Sequence, residues 1–150
     1  MRFVIQRVTK ASCTVNQKIT GQIDLGFCVF IGIEENDTTA IADKMVQKLV
    51  NMRIFDDEND KINLSLQDVG GSLLLISQFT LYANCRKGNR PSFTQAGKPD
   101  FANNMYEYII DQCRKIIPNV QTGIFGADMK LQIHNDGPFT IILDSNDLAI

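Results

Sequence analysis

With 150 residues, 44% of them hydrophobic and 21% charged, the chain is long enough to bury a core and has the balance of an ordinary globular domain. Its net charge of -2 excludes nucleic-acid binding through bulk charge, so any such contact has to come from a local patch. The apolar run Leu73 to Ile76 is far shorter than the roughly 20 residues that cross a bilayer, and no membrane partner is expected.

Arg2 to Val8 alternates Phe3, Ile5 and Arg7 against Val4, Gln6 and Val8, the period of a strand. That segment follows directly on Met1, so no signal peptide is expected and the chain is assigned to the cytoplasm. Ser12 to Asp24 reads as a hairpin that turns at Asn16-Gln17 and returns through Ile19 to Ile23. Gly26 to Ile33 is an unbroken run of β-branched and aromatic residues, as in a strand covered on both faces. Asp37 is the expected cap of a first helix whose apolar stripe is Ile41, Met45, Val46, Leu49, Val50 and Met52. A polar turn follows.

The segment GSLLLISQFTLYA then reads as a buried central strand that breaks near Ser77-Gln78. Asn84 to Pro99 is irregular, with Gly88, Pro91, Gly97 and Pro99 in quick succession. A second helix is predicted over about Asp100 to Ile117, burying Phe101, Met105, Tyr108, Ile109 and Ile116 and stopped by Pro118. Three strands close the chain: VQTGIF, MKLQI and FTIIL. Between the last two, Asp136-Gly137-Pro138 has the usual punctuation of a hairpin. Strands outnumber helices without regular alternation. The predicted fold is therefore α+β: one domain over residues 1–150, a curved, mostly antiparallel, barrel-like sheet with two packed helices.

Most catalytic constellations are missing. Cys13, Cys28, Cys85 and Cys113 form no CxxC pair, which argues against a zinc site or a small disulfide framework and for reduced thiols. The single histidine, His134, lies on a strand without an evident carboxylate partner. GxSxG, Walker and GxGxxG motifs are absent, and Asp56 to Asp60 lack calcium-loop spacing. No metal or cofactor is expected.

Two features remain. In SQFTL, Ser77 to Leu81, polar residues interrupt an apolar strand. They are either a strand end with satisfied hydroxyls or a place where backbone N–H groups face a carbonyl oxygen. In the loop after it, Arg86, Lys87, Arg90 and Lys98 are gathered before the first acid, Asp100. They are either a solvated loop or a phosphate-binding patch beside SQFTL.

With SQFTL and NDGPFT both present, the chain resembles the D-aminoacyl-tRNA deacylases over essentially its whole length. The matching stretches are QRVTKASCTV, LLLISQFTLYA with KGNRPSF, MYEY, and FGADMKLQIHNDGPFT. The resemblance implies a cytoplasmic homodimer that needs no cofactor. It would hydrolyse the ester between a D-amino acid, or glycine, and the 3′-terminal adenosine of tRNA.

The resemblance also implies roles for particular residues. The backbone amides of Ser77, Gln78, Phe79 and Thr80, with the Thr80 side chain, would line the ester. Gly137 and Pro138, joined by a cis bond, would reach into the pocket of the second subunit and leave no room there for an L side chain. Arg7 resembles a residue that steadies this pair from behind. Phe125, Ala127 and Met129 match pocket positions around the adenine and amino acid, and Ala102 matches a small residue near them. The basic residues Arg86, Lys87, Arg90 and Lys98 would meet tRNA phosphates.

Phe139 stands where the family commonly has valine, so a ring has to be accommodated behind the pair. Two routes to hydrolysis are open: attack of water assisted by the ribose 2′-OH, which the lack of a base near Thr80 favours, and an acyl-Thr80 intermediate. Two further readings stand beside the deacylase. One is a non-catalytic nucleic-acid-binding module acting through the Arg86–Lys98 loop; the other is a general esterase.

Overall fold

The computed structural model describes residues 1–149. The long first strand β1, Arg2–Val15, organises the sheet. Along one of its edges β3, Gly26–Gly32, pairs with Arg2 to Val8, and β2, Lys18–Ile23, pairs with Ala11 to Val15. Asn16 and Gln17 both take positive φ, 48° and 66°, as a two-residue turn between twisted strands requires. Beyond β3 the order continues through β6, Ser72–Ser77, to β7, Val120–Thr122, both in parallel pairing. A short hairpin, β4 at Phe55–Asp56 and β5 at Ile62–Leu64, stands apart.

The sheet curls until β2 meets β7. Thr20 Oγ1 donates to the Thr122 carbonyl at 3.3 Å, and a Cβ added to Gly21 would come within 2.7 Å of that oxygen. The resulting near-barrel encloses Val8, Ala11, Cys13, Ile23, Cys28, Leu74 and Ile76. Its other face is covered by α1, Thr39–Asn51, and α2, Pro99–Arg114, whose buried stripes pack on Phe3, Ile5, Phe27, Val29, Leu73 and Leu75. Burial of each such side chain contributes about 1.5–3 kcal/mol, so the helices are held by their apolar faces more than by propensity.

Three expectations are corrected. Thr38, not Asp37, caps α1: its Oγ1 accepts from the Ile41 amide. The Asp37 carboxylate is buried and already committed to the Met1 α-amino group at 2.7 Å and the Glu34 amide at 2.8 Å. The second helix ends at Arg114, ahead of Pro118, and its buried tyrosine is Tyr106. Tyr108 lies at the surface side, donating to Asp43 at 2.7 Å.

The third correction concerns the end of the chain. MKLQI and FTIIL are not the arms of a hairpin but one strand, β8, Lys130–Asp144, antiparallel to β1 throughout. β1 is long enough to pair with both halves. Thr140 faces Gln6 and Asn135 faces Val8, so Asp136 to Phe139 leave the ladder opposite the single residue Arg7. One step further on, Thr9 of β1 is a bulge between the pairs Val8–Asn135 and Lys10–His134.

Candidate active site

The ladder between β6 and β7 ends at Leu75 and Thr122, and beyond it the two chains diverge. At that point the buried Tyr106 hydroxyl donates to the Leu75 carbonyl at 2.7 Å. Burial pushes the phenol above its ordinary pKa, so it stays a donor. Gly123 follows, where a Cβ would meet Met129 Sδ at 2.4 Å, so the methionine packs directly on the glycine backbone.

The divergence opens a cavity of about 700 Å³, the size of a small-molecule site. Ile31, Ile33 and Ile76 form its apolar base, with Ser77, Gln78 and Phe79 on the β6 side. Phe125, Ala127, Asp128, Met129 and Leu131 lie on the β7 side. The loop from Phe93 to Pro99, with Ala102 of α2, completes the lining. That loop is tied to the end of β3: the Gly97 amide donates to Ile33 O at 2.9 Å, and the Lys98 amide donates to Glu35 Oε2 at 3.0 Å. Phe79 and Phe93 meet edge to face at 5.1 Å and leave much of both rings exposed.

The cavity brings together Ser77, Gln78 and Phe79 of the expected catalytic stretch and Ala102, Phe125, Ala127 and Met129 of the expected pocket, and it adds Lys98, expected as a phosphate contact. The break in SQFTL is real, since β6 stops at Ser77 and Phe79–Tyr82 form a 3-10 turn. The Gln78 amide is not free, because it donates to Ile31 O at 2.8 Å. Among the described residues no hydrogen bond engages the Phe79 and Thr80 amides, as expected for the first donors of a helical turn. Thr80 is exposed and outside the cavity lining; its Oγ1 accepts from Gln78 Nε2 at 2.6 Å. Lys98 and Asp128 are the ionisable residues of the lining, and His134 is exposed on β8 outside it. Arg86, Lys87 and Arg90 stand exposed on the adjoining loop, which the Asn84–Ser92 bridge closes.

Gly137, Pro138 and Arg7 do not line this cavity. Gly137 and Pro138, joined by a cis peptide bond, are exposed at the tip of the β8 excursion. Arg7 is buried beneath it. Its Nε donates to Asp136 O at 3.2 Å, its Nη1 to Ile54 O at 2.7 Å, and its guanidinium lies 4.6 Å over the Phe139 ring.

The family model described as D-Tyr-tRNA(Tyr) deacylase matches residues 4–144. The chain belongs to the D-aminoacyl-tRNA deacylase family. It is 49% identical over 146 residues to the D-aminoacyl-tRNA deacylase of Clostridioides difficile (strain 630), covering 97% of this chain and 98% of that one. It is 52% identical over 145 residues to that of Clostridium novyi (strain NT), covering 97% of each. Among solved structures, one described as "c-Myc DNA Unwinding Element Binding Protein" superposes with a TM-score of 0.91 at 40% identity, covering 96% of this chain and 98% of that one. One described as a probable eukaryotic D-amino acid tRNA deacylase has a TM-score of 0.81 at 20% identity, covering 95% and 97%, and speaks for the fold alone.

A D-aminoacyl-tRNA deacylase is a hydrolase of the aminoacyl-tRNA ester, so the expectation of a non-catalytic module is set aside. In this deacylase the ring of Phe139 is taken up by packing against the main core and under Arg7. Sequence reasoning missed Asn135, whose side chain spans the base of the excursion, and the cavity residues Phe93, Ala96 and Leu131. The NDGPFT motif contained the first; no local pattern singled out the others.

Proposed function

We propose that the cavity takes the 3′-terminal aminoacyl-adenosine of a D-aminoacyl-tRNA in the cytoplasm. In this reading glycyl-tRNA is also hydrolysed, and Gly137 and Pro138 of one copy close the cavity of a second. The whole of residues 1–150 acts as one domain, and the homodimer is the working unit. The observation that carries this reading is the separation of tip and cavity along one strand. Leu131 lines the cavity and Gly137 lies six positions further along β8, about 20 Å of extended chain. The tip cannot fold back into its own cavity, but it can enter that of a second copy. β8 pairs only with β1 among the described strands, which leaves its outer edge open, and Ile142 on it is 68% exposed.

Main-chain carbonyls at such a tip exclude an L side chain without reading the D side chain, and glycine passes because it has nothing to exclude. The unengaged Phe79 and Thr80 amides supply donors for the oxyanion, each worth about 10²–10³ in rate. Thr80 Oγ1 receives its hydrogen bond from an amide, which is no general base. This supports attack by water with the ribose 2′-OH assisting. Arg86, Lys87, Arg90 and Lys98 hold tRNA phosphates beside the mouth.

The test is to incubate the protein with D-tyrosyl-, L-tyrosyl- and glycyl-tRNA and follow amino-acid release. Turnover of the D and glycyl esters with the L ester spared is expected. Equal cleavage of L and D esters would remove the chiral reading. Cleavage of simple D-amino acid esters as fast as tRNA esters would favour a general esterase.

A further inference from the structure

The four residues that leave the β8 ladder have to return to it at one place, and a single side chain determines where. Asn135 is the last paired residue before the excursion and Thr140 the first after it. Asn135 Oδ1 accepts from the Phe139 amide at 2.6 Å, while Asn135 Nδ2 donates to Thr140 Oγ1 at 3.0 Å. Gln6 Nε2, from the facing strand, donates to the same hydroxyl at 3.3 Å. The Phe139 amide has left the ladder, so without Asn135 it would lose its partner at a half-buried position.

Arg7 holds the excursion from beneath, by the Asp136 carbonyl and the Phe139 ring. The first contact is at the opening end and the second holds a side chain, so neither holds the main chain at Phe139. The pair of bonds made by Asn135 does: it ties Phe139 and Thr140, at the closing end, to one planar amide carried by the opening end. Gly137, at φ +131°, sits between those ends. A Cβ there would approach the Phe139 amide nitrogen at 3.2 Å and Arg7 Nη2 at 3.3 Å, so the tip has little slack on its inner side.

We propose that Asn135 is a positioning residue for stereospecificity: by clipping the Phe139 amide to Thr140 it fixes where Gly137 and Pro138 stand. This rests on the reading of Gly137 and Pro138 as the element that excludes L substrates. The bond to the Phe139 amide is the working one, because it restrains main chain next to the tip. The bond to Thr140 orients the Asn135 amide.

The experiment measures the ratio of D- to L-tyrosyl-tRNA hydrolysis rates, with thermal stability measured alongside. Asn135→Ala is expected to lower the ratio by about tenfold, the worth of one hydrogen bond held in one geometry. Asn135→Gln, which moves the carbonyl out by one methylene, is the second variant should Ala impair folding, and it too lowers the ratio. Asn135→Asp restores the ratio, since a carboxylate still accepts from the Phe139 amide and the Thr140 hydroxyl can turn to donate. A merely structural residue would shift the melting temperature and leave the ratio alone.

Replacing Gly137-Pro138 by Ala-Ala separates the two ideas. If that change lowers the ratio and the Asn135 variants do not, the clip is overturned and the chiral reading survives. If none of them moves the ratio, both fall. Failure of Asn135→Asp to restore the ratio would overturn the role of the acceptor oxygen.

Discussion

Two strands of this deacylase are interrupted by polar residues, and the two interruptions do opposite things. β6 stops at Ser77 and becomes a 3-10 turn, and the space it vacates is the cavity. β8 leaves its ladder at Asp136 and is recaptured at Thr140, so its interruption is a projection. The difference lies in the neighbours. The strand beside β6 on one side, β3, ends at Gly32, and the strand on the other, β7, ends at Thr122, so nothing continues for it to pair with. β8 runs beside a strand of 14 residues that offers partners on both sides of the gap. An interruption becomes a hollow or a projection according to how far the adjacent strand runs.

The largest effect is expected from removing what lies under the projection. Arg7→Ala deletes a buried guanidinium that binds the Asp136 and Ile54 carbonyls, and should cost about 3 kcal/mol in urea unfolding. Arg7→Lys should recover only part of it, because one ammonium cannot span both carbonyls and cover the Phe139 ring. An Arg7→Ala protein as stable as the parent would show that the projection supports itself. On the side of the hollow, Ala102→Phe places a ring in the lining. It should lower turnover of D-tyrosyl-tRNA by about 10²-fold with far less effect on stability.

Thr80→Ala should reduce activity less than tenfold, and less than removing the 2′-OH of the terminal ribose; the opposite ranking would support an acyl-Thr80 intermediate. A smaller effect concerns the returning half of β8. Burial acts to raise the Asp144 carboxyl, but the Asn146 amide and the Arg2 guanidinium outweigh it and hold its pKa below the usual range. Its stabilisation is therefore complete above the unfolded value of about 3.9 and is lost as pH falls through the folded one. The gap in urea midpoint between the parent and Asp144→Asn should be present at neutral pH and shrink at about pH 3.

The smallest effect tests whether either interruption opens the interior. Burial pushes the Cys28 and Cys113 thiols up to about 12, and Cys13 is buried with them. A thiol reagent should therefore react promptly with Cys85 and with the other three only after unfolding. Prompt reaction at Cys13 would mean that the barrel breathes.

How far these features were legible follows from the range of the interactions that make them. The break at Ser77-Gln78, the two helices and the turn at Asn16-Gln17 are written in neighbouring residues, and they stand where expected apart from the cap of the first helix and the end and buried tyrosine of the second. The cavity residues Phe125, Ala127 and Met129 were reached through resemblance, since no periodicity marks them. The continuity of β8 was not legible. Asp-Gly-Pro is good hairpin punctuation, and the strand that overrides it lies about 130 positions earlier in the chain. Asp37 misled for a related reason: it has the chemistry of a cap, but a charged amine 36 positions earlier in the chain claims it first.

The bulge at Thr9 has a consequence of parity. From Thr140 to Asn135 β8 takes five steps while β1 takes two, an excess of three. From Asn135 to His134 it takes one step against two. The net excess is two, and across the bulge the strand pair changes the face it buries: Leu131 and Ile133 pack into the barrel with Ala11 and Cys13, whereas Ile141 and Leu143 pack on the helix-covered face with Phe3 and Ile5. Removing Thr9 would turn one half of β1 inside out. Deleting Thr9 should therefore disrupt the sheet more than deleting both Gly137 and Pro138. The face that each half of β8 buries is set by β1, and the projection between the halves hangs from a register that its own length does not decide.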